Sequence, residues 1–235
     1  TLAMSSAASD VYKRQIDYGV SGLTLHPRPD HRHATSKDVV IISQLCKDRN
    51  VEFNIEGNPF SSPSGDFKGF LNLVEESQPD QITLVPDSPD QITSDHGWAT
   101  GNHDDDLKNI IYNLKDLSKH SQISLFVDSM KGNKVNYDAI DYAIDVGANL
   151  IEIHTGYFSK HIEEGNLSVI NEIESLINKA NKSNLMVNAG HDLNLINLPH
   201  LVKIGGINEV SIGHAIVIDA LNYGFEATIK SYIDT

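Results

Sequence analysis

Several things are scarce in this chain, and each scarcity excludes something. A single cysteine, Cys46, in 235 residues rules out a disulfide framework and fits a reducing compartment. No apolar run approaches the roughly 20 residues that a membrane-spanning helix needs, and no signal peptide is visible, so no membrane partner is expected and the expected address is the cytoplasm. Positive charge is also short: 18 Lys and Arg stand against 32 Asp and Glu, a net charge of −14. A phosphate backbone demands a broad basic footprint, so nucleic acid is not an expected partner.

Arginine occurs only at Arg14, Arg28, Arg32 and Arg49, and two of these lie in the segment His26-Pro-Arg-Pro-Asp-His-Arg-His33. The guanidinium fork matches phosphate bidentately, so this local basic loop on an acidic protein points to a small anionic ligand. The plainer alternative is a solvated charged loop.

Five apolar runs stop on a chemically capable side chain or a Gly-His step: Leu-Thr-Leu-His26, Asn-Ile-Glu56, Ile-Glu-Ile-His154, Val-Asn-Ala-Gly-His191 and Val-Ser-Ile-Gly-His214. Short strands are predicted over 20–26, 51–56, 81–86, 122–128, 149–154, 185–190 and 208–213. Helical patterns fall between them, over 36–49, 66–77, 104–119, 135–146, 160–182, 194–204 and 215–232. The first has a capping box at Thr35 and Asp38, and the helix after 135 has its stop at Gly147. Alternating strands and helices imply a parallel sheet, and at this length a single α/β domain of the TIM (β/α)8 barrel type. Only seven strands are legible, so the first strand is expected to be missing or replaced. Residues 1–15 are small and polar with no period, and are read as a non-native scar outside the fold, leaving 16–235 as the domain.

Side chains alternate along a strand, so Leu23, Leu25, Phe53, Ile55, Leu125, Val127, Ile151 and Ile153 should pack beneath helices. Thr24, His26, Glu52, Asn54, Glu56, Ser124, Phe126, Asp128, Glu152 and His154 should point inward. A barrel kept only for structure fills its interior with branched apolar residues. The largely polar inner face expected here needs hydrogen bonds, water or a ligand.

Barrel strands end at one mouth, where His26, His154, His191 and His214 could move protons near neutral pH and Glu56 and Glu152 could act as acid or base once partly buried. Each alone is as readily structural; together they read as an active site. Gly190-His191 and Gly213-His214 end the last two strands, where barrel enzymes often hold phosphate against free backbone N–H groups. The polar segment 86–98 after the third strand reads as a lid, Trp98 as packing, and Asp104-Asp105-Asp106 as a charged helix start rather than a metal cluster.

GLTLHPRPDHRH, FNIEG, LVPDSPDQITSDHGW, IEIHTG, VNAGHDLN and SIGHAI, in this order and spacing, resemble the pyridoxine 5′-phosphate synthase family over about residues 16–232. The resemblance implies a cofactor-free, metal-free condensation of two phosphorylated small molecules, 3-amino-2-oxopropyl phosphate and 1-deoxy-D-xylulose 5-phosphate. It implies His26 as first general base, Glu56 as second, His191 as general acid and Glu152 as transition-state stabiliser. Arg28, His33, Thr93, Gly213 and His214 match substrate-binding positions, and a homo-oligomer, an octamer, is implied.

Two departures accompany the match. Residues 1–15 hold nothing like the family's Asn-x-Asp-His strand and its following arginine, so the chain is expected to be truncated and its activity to suffer. Asp192 stands where some members have a binding glycine, and its backbone N–H is expected to serve instead. The alternatives are a metal-dependent barrel hydrolase, since strand-end His and carboxylates can hold zinc, and an inactive phosphate-binding fragment.

Overall fold

The computed structural model describes residues 7–101 and 104–235. Its strands are β1 (Gly22–Leu25), β2 (Glu52–Gly57), β3 (Gln81–Leu84), β4 (Gln122–Asp128), β5 (Met130–Lys131), β6 (Lys134–Val135), β7 (Leu150–His154), β8 (Met186–Gly190) and β9 (Glu209–Ser211). Its helices are α1 (Ala7–Asp17), α2 (Ser36–Arg49), α3 (Phe70–Ser77), α4 (Asp104–Leu117), α5 (Tyr137–Val146), α6 (Gly156–Glu163), α7 (Val169–Lys182), α8 (Leu198–Val202), α9 (His214–Tyr223) and α10 (Phe225–Ile233).

Seven strands form one parallel sheet in the order β1-β2-β3-β4-β7-β8-β9, and β5 and β6 make a small hairpin beside it. Sheet order follows chain order, so the chain winds steadily in one direction. The sheet curls: Asn188 on β8 donates to Gln81 Oε1 on β3 at 3.0 Å, and Thr83 on β3 lies 3.5 Å from Glu152 Oε2 on β7, although other strands separate these pairs along the sheet. Side chains from non-adjacent strands meet only inside a barrel wall. Among the described residues, β1 and β9 each have one strand neighbour, so the barrel is nearly but not fully closed.

The apolar core lies between sheet and helices. Leu23, Leu25, Phe53, Ile55, Leu125, Val127, Ile151 and Ile153 are all buried in it, as strand alternation requires. They pack with helix residues such as Val39, Ile42, Phe70, Leu73, Leu107, Ile111 and Leu176. Of the inward set, Asn54, Ser124, Phe126 and Glu152 are buried, whereas Thr24 is exposed because β1 stands at the end of the sheet order.

Local signals account for several boundaries. The Thr35 hydroxyl accepts from the Asp38 N–H and the Asp38 carboxylate accepts from the Thr35 N–H, which opens α2; Asn50 in the left-handed region, φ 53°, closes it. Gly147, φ 87°, closes α5.

Elsewhere the structure differs from expectation. The span 160–182 is two helices, α6 and α7, separated by a turn with Gly165 at φ 78°. The span 215–232 is broken at Gly224, φ 83°, into α9 and α10. Residues 7–15, expected outside the fold, belong to α1, whose Tyr12 and Ile16 pack against the core. Residues 1–6 lie outside the described residues. No described helix is long and apolar enough to cross a membrane.

Candidate active site

Because all seven strands run parallel, their C-terminal ends share one rim, and most of the expected site residues meet there. His26 follows β1 and Glu56 lies near the end of β2, with His26 Nδ1 3.1 Å from Glu56 Oε1. The His33 ring stands edge-on to His26 with centroids 5.5 Å apart. Burial pushes the His33 pKa down, and the charges of His26, Arg28 and Arg32 push the same way, so His33 stays neutral across more of the pH range than a free imidazole.

Glu56 and Glu152 are driven in opposite directions. Burial raises the Glu56 carboxyl, but the charges of His26, His191 and Arg28 and its hydrogen bond with His26 outweigh burial and hold it below the ordinary range. It is therefore a carboxylate able to accept a proton. Glu152, 3% exposed, is pushed up to about 8 by burial first and by the charge of Glu56 second. At neutral pH it is a neutral acid able to donate a hydrogen bond. Gly190 permits this arrangement, since a Cβ there would collide with Glu152 Oε1.

Across the rim, Thr93 Oγ1 is 3.0 Å from His191 Nε2. The His191 Nδ1 lies 3.0 Å from Asp192 Oδ2 without the alignment of a hydrogen bond. Both residues have left-handed backbone, φ 85° and 57°, an uncommon conformation outside glycine that clusters at functional sites. The fully buried Thr155 pins this turn, its hydroxyl donating to the carbonyls of Gly190 and His191. The His154 ring stacks edge-on against His191 at 4.8 Å, with its Nδ1 3.3 Å from Asp128.

Arg28 is buried and its guanidinium is engaged internally, by the Asp87 carboxylate and by the Gln91 carbonyl at 2.6 Å. Arg32 donates to the carbonyls of Gln91 and Pro89, both at 2.8 Å. The two arginines thus tie the loop after β1 to the loop after β3. Trp98 packs as expected, its Nε1 donating to the Leu84 carbonyl at 2.9 Å.

Gly213 and His214 are the exception. They sit at the N-terminus of α9, exposed, and nothing lies within 4 Å of the position a Gly213 Cβ would take. Sequence reasoning missed Asp87, which binds Arg28, accepts from Ser94 Oγ at 2.7 Å and lies 3.7 Å from His26 Nε2. Among the described residues, no group of three His, Cys, Asp or Glu is arranged to hold a metal ion.

Fold and rim together define a β/α-barrel enzyme with histidines and carboxylates gathered at its rim. The family described as pyridoxal phosphate biosynthesis protein PdxJ matches residues 7–235, and the chain belongs to it. Pyridoxine 5′-phosphate synthase of Xanthomonas axonopodis pv. citri (strain 306) is 41% identical over 221 residues, covering 93% of this chain and 84% of that protein. The protein of the same name from Xylella fastidiosa (strain M23) is also 41% identical, covering 93% and 82%. Among solved structures, the tryptophan synthase α-subunit of Pyrococcus furiosus covers 97% of this chain and 93% of that one with a TM-score of 0.63 at 12% identity, a likeness of fold alone.

Proposed function

We propose that this chain is a pyridoxine 5′-phosphate synthase. It condenses 3-amino-2-oxopropyl phosphate with 1-deoxy-D-xylulose 5-phosphate to pyridoxine 5′-phosphate, inorganic phosphate and water. The observation that carries the reading is the divergence of two carboxyls inside one barrel: Glu56, 3.1 Å from His26, is held below the ordinary carboxyl range, and the buried Glu152, 3.5 Å from the Thr83 hydroxyl, is pushed above it. Paired groups whose environments push their proton affinities apart mark acid and base roles.

On this reading His26 is the first base and Glu56 the second. His191, with Thr93 at its Nε2, is the acid. Glu152 donates a hydrogen bond to oxygen charge that develops in the transition state. Arg28, His33, Thr93, Asp192, Gly213 and His214 contact the two phosphorylated substrates; Arg28 does so with its guanidinium pre-aligned by Asp87. Imine formation, phosphate elimination, hydration, ring closure and final dehydration consist of proton transfers, additions and eliminations that these groups can serve without a cofactor. Residence in the cytoplasm and assembly into a homo-oligomer belong to the same reading.

The purified chain incubated with both substrates is expected to yield pyridoxine 5′-phosphate, detected by chromatography. The His191→Ala variant is expected to lose about 10²–10⁴-fold in turnover with an unchanged circular dichroism spectrum. Phosphate binding with no product from the unaltered chain would favour an inactive binding fragment, and undiminished turnover in the variant would remove the acid role.

A further inference from the structure

Asp87 is 5% exposed and lies at the centre of the rim on the β1–β3 side. Its Oδ2 receives the Arg28 guanidinium and the Ser94 hydroxyl, the latter at 2.7 Å, and stands 3.7 Å from His26 Nε2. The Asn58 side chain donates to its backbone carbonyl at 2.8 Å, which anchors the residue from β2's loop as well. Its Oδ1 is buried with no partner. A buried carboxylate oxygen without a donor costs on the order of 1–3 kcal/mol, so a neutral residue of similar shape would serve packing better.

His26 therefore lies between two carboxyl groups, Glu56 at Nδ1 and Asp87 at Nε2. His33 and Arg28 from its own loop lie beside it as well. His33 is held toward its neutral form, and the Arg28 charge is matched by Asp87 itself. A proton accepted on Nε2 makes His26 a cation facing Asp87 Oδ2. Closing the present 3.7 Å to about 2.8 Å would give a charge-assisted hydrogen bond.

We propose that Asp87 is a positioning residue for the reaction, holding Arg28 and Ser94 in register with His26 and stabilising the imidazolium that forms when His26 takes a proton from substrate. This rests on the synthase reading above. Asp87 touches no reacting atom; it acts through His26 and Arg28.

The test compares kcat/KM against pH for the full chain, Asp87→Asn and Asp87→Glu, with both substrates. Asp87→Asn keeps the shape and removes the charge. It is expected to lose about tenfold or more, a fraction of the 10²–10⁴ that acid–base catalysis supplies, and to move the acidic limb of the profile to lower pH, because an imidazolium without its counter-charge sheds its proton more readily. Asp87→Glu is expected to restore most of the rate and the position of the limb. A folded Asp87→Asn protein with an unmoved profile overturns the proposal, as does a rate loss without a shift of the limb, the mark of a purely structural role. If Asp87→Asn does not fold, Asp87→Glu decides: a rate near that of the unaltered chain supports the need for charge, and a loss as large as that of His26→Ala overturns it. NMR titration of the His26 ring in the folded proteins separates this inference from the reading beneath it. Without any product from the unaltered chain, the synthase reading fails, while a midpoint unmoved by loss of the Asp87 charge would still overturn the inference and a lowered one would support it.

Discussion

β7 with α7 and β9 with α9 are both strand and helix pairs of one barrel, yet they differ in almost every physical respect. In β7 every residue but the terminal His154 is buried, and α7 sets Val169, Ile173, Leu176, Ile177 and Ala180 into the core. In β9 all three residues are half-buried, and α9 has no buried residue, with Val217, Ile218, Leu221 and Tyr223 open to solvent. β7 lies inside the sheet with a strand on either side, whereas β9 ends it with β8 as its one strand neighbour among the described residues, and α9 packs mainly against α10. The proposed site residues divide the same way. Glu152 and His191 are carried by the covered wall, and Gly213 and His214 by the open corner. Acid–base chemistry depends on fixed distances and low dielectric, which only the wall supplies.

The largest effect that tests this contrast is on stability. Leu176→Ala in α7, where the side chain is fully buried, is expected to cost about 2–5 kcal/mol in urea denaturation. Leu221→Ala in α9, 84% exposed, is expected to stay within about 0.5 kcal/mol. A comparable loss at Leu221 would break the comparison, because it would mean that the apolar side of α9 is covered in solution.

Glu152 gives a smaller effect, and its sign follows from burial. Its folded-state pKa, about 8, lies above the ordinary carboxyl value of 4.5, so between these limits the folded protein holds a proton that the unfolded chain has released. The contribution is fully present below about pH 4.5 and is lost as pH rises through 8, with a slope of up to about 1.4 kcal/mol per pH unit. Glu152→Gln should remove that component and leave the part due to Glu52, raised to about 7 by burial and by Glu209. Stability that depends on pH identically with and without Glu152 would show that the wall does not desolvate the carboxyl.

Strand positions were legible because β-branched runs with period two admit few other structures, and the strand ends then named the rim. His26, Glu56, His191 and Glu152 could thus be placed from order and alternation, whereas Thr93 was named through the family resemblance alone. Helix breaks were less legible: Gly165 and Gly224 lie inside otherwise helical patterns, and only backbone geometry shows that they adopt φ of 78° and 83°. Residues 7–15 were set outside the fold from composition, yet they lie in α1, where Tyr12 packs against the core although the segment has no clear period. Asp87 was missed because nothing local distinguishes a carboxylate that folds back on Arg28 from one that points to solvent. Such pairings join residues 59 positions apart and exist only once two loops meet.

The finest contrast concerns backbone strain at the rim itself. Asp192, φ 57°, follows His191, φ 85°, so two successive residues with side chains occupy the left-handed region, while Gly213 on the open corner has an ordinary φ of −116°. Asp192→Gly relieves a left-handed penalty of about 1 kcal/mol, which for Asp is at the low end, and adds unfolded-chain entropy of similar size. The two nearly cancel, so the net expectation in thermal denaturation is a change within about 0.5 kcal/mol of zero. Turnover should hold if the backbone N–H at this position is what binds substrate, since that N–H is retained. A clear loss of stability would instead assign weight to the Asp192 carboxylate 3.0 Å from His191 Nδ1. Loss of turnover at unchanged stability would place that carboxylate, not the turn, in support of His191.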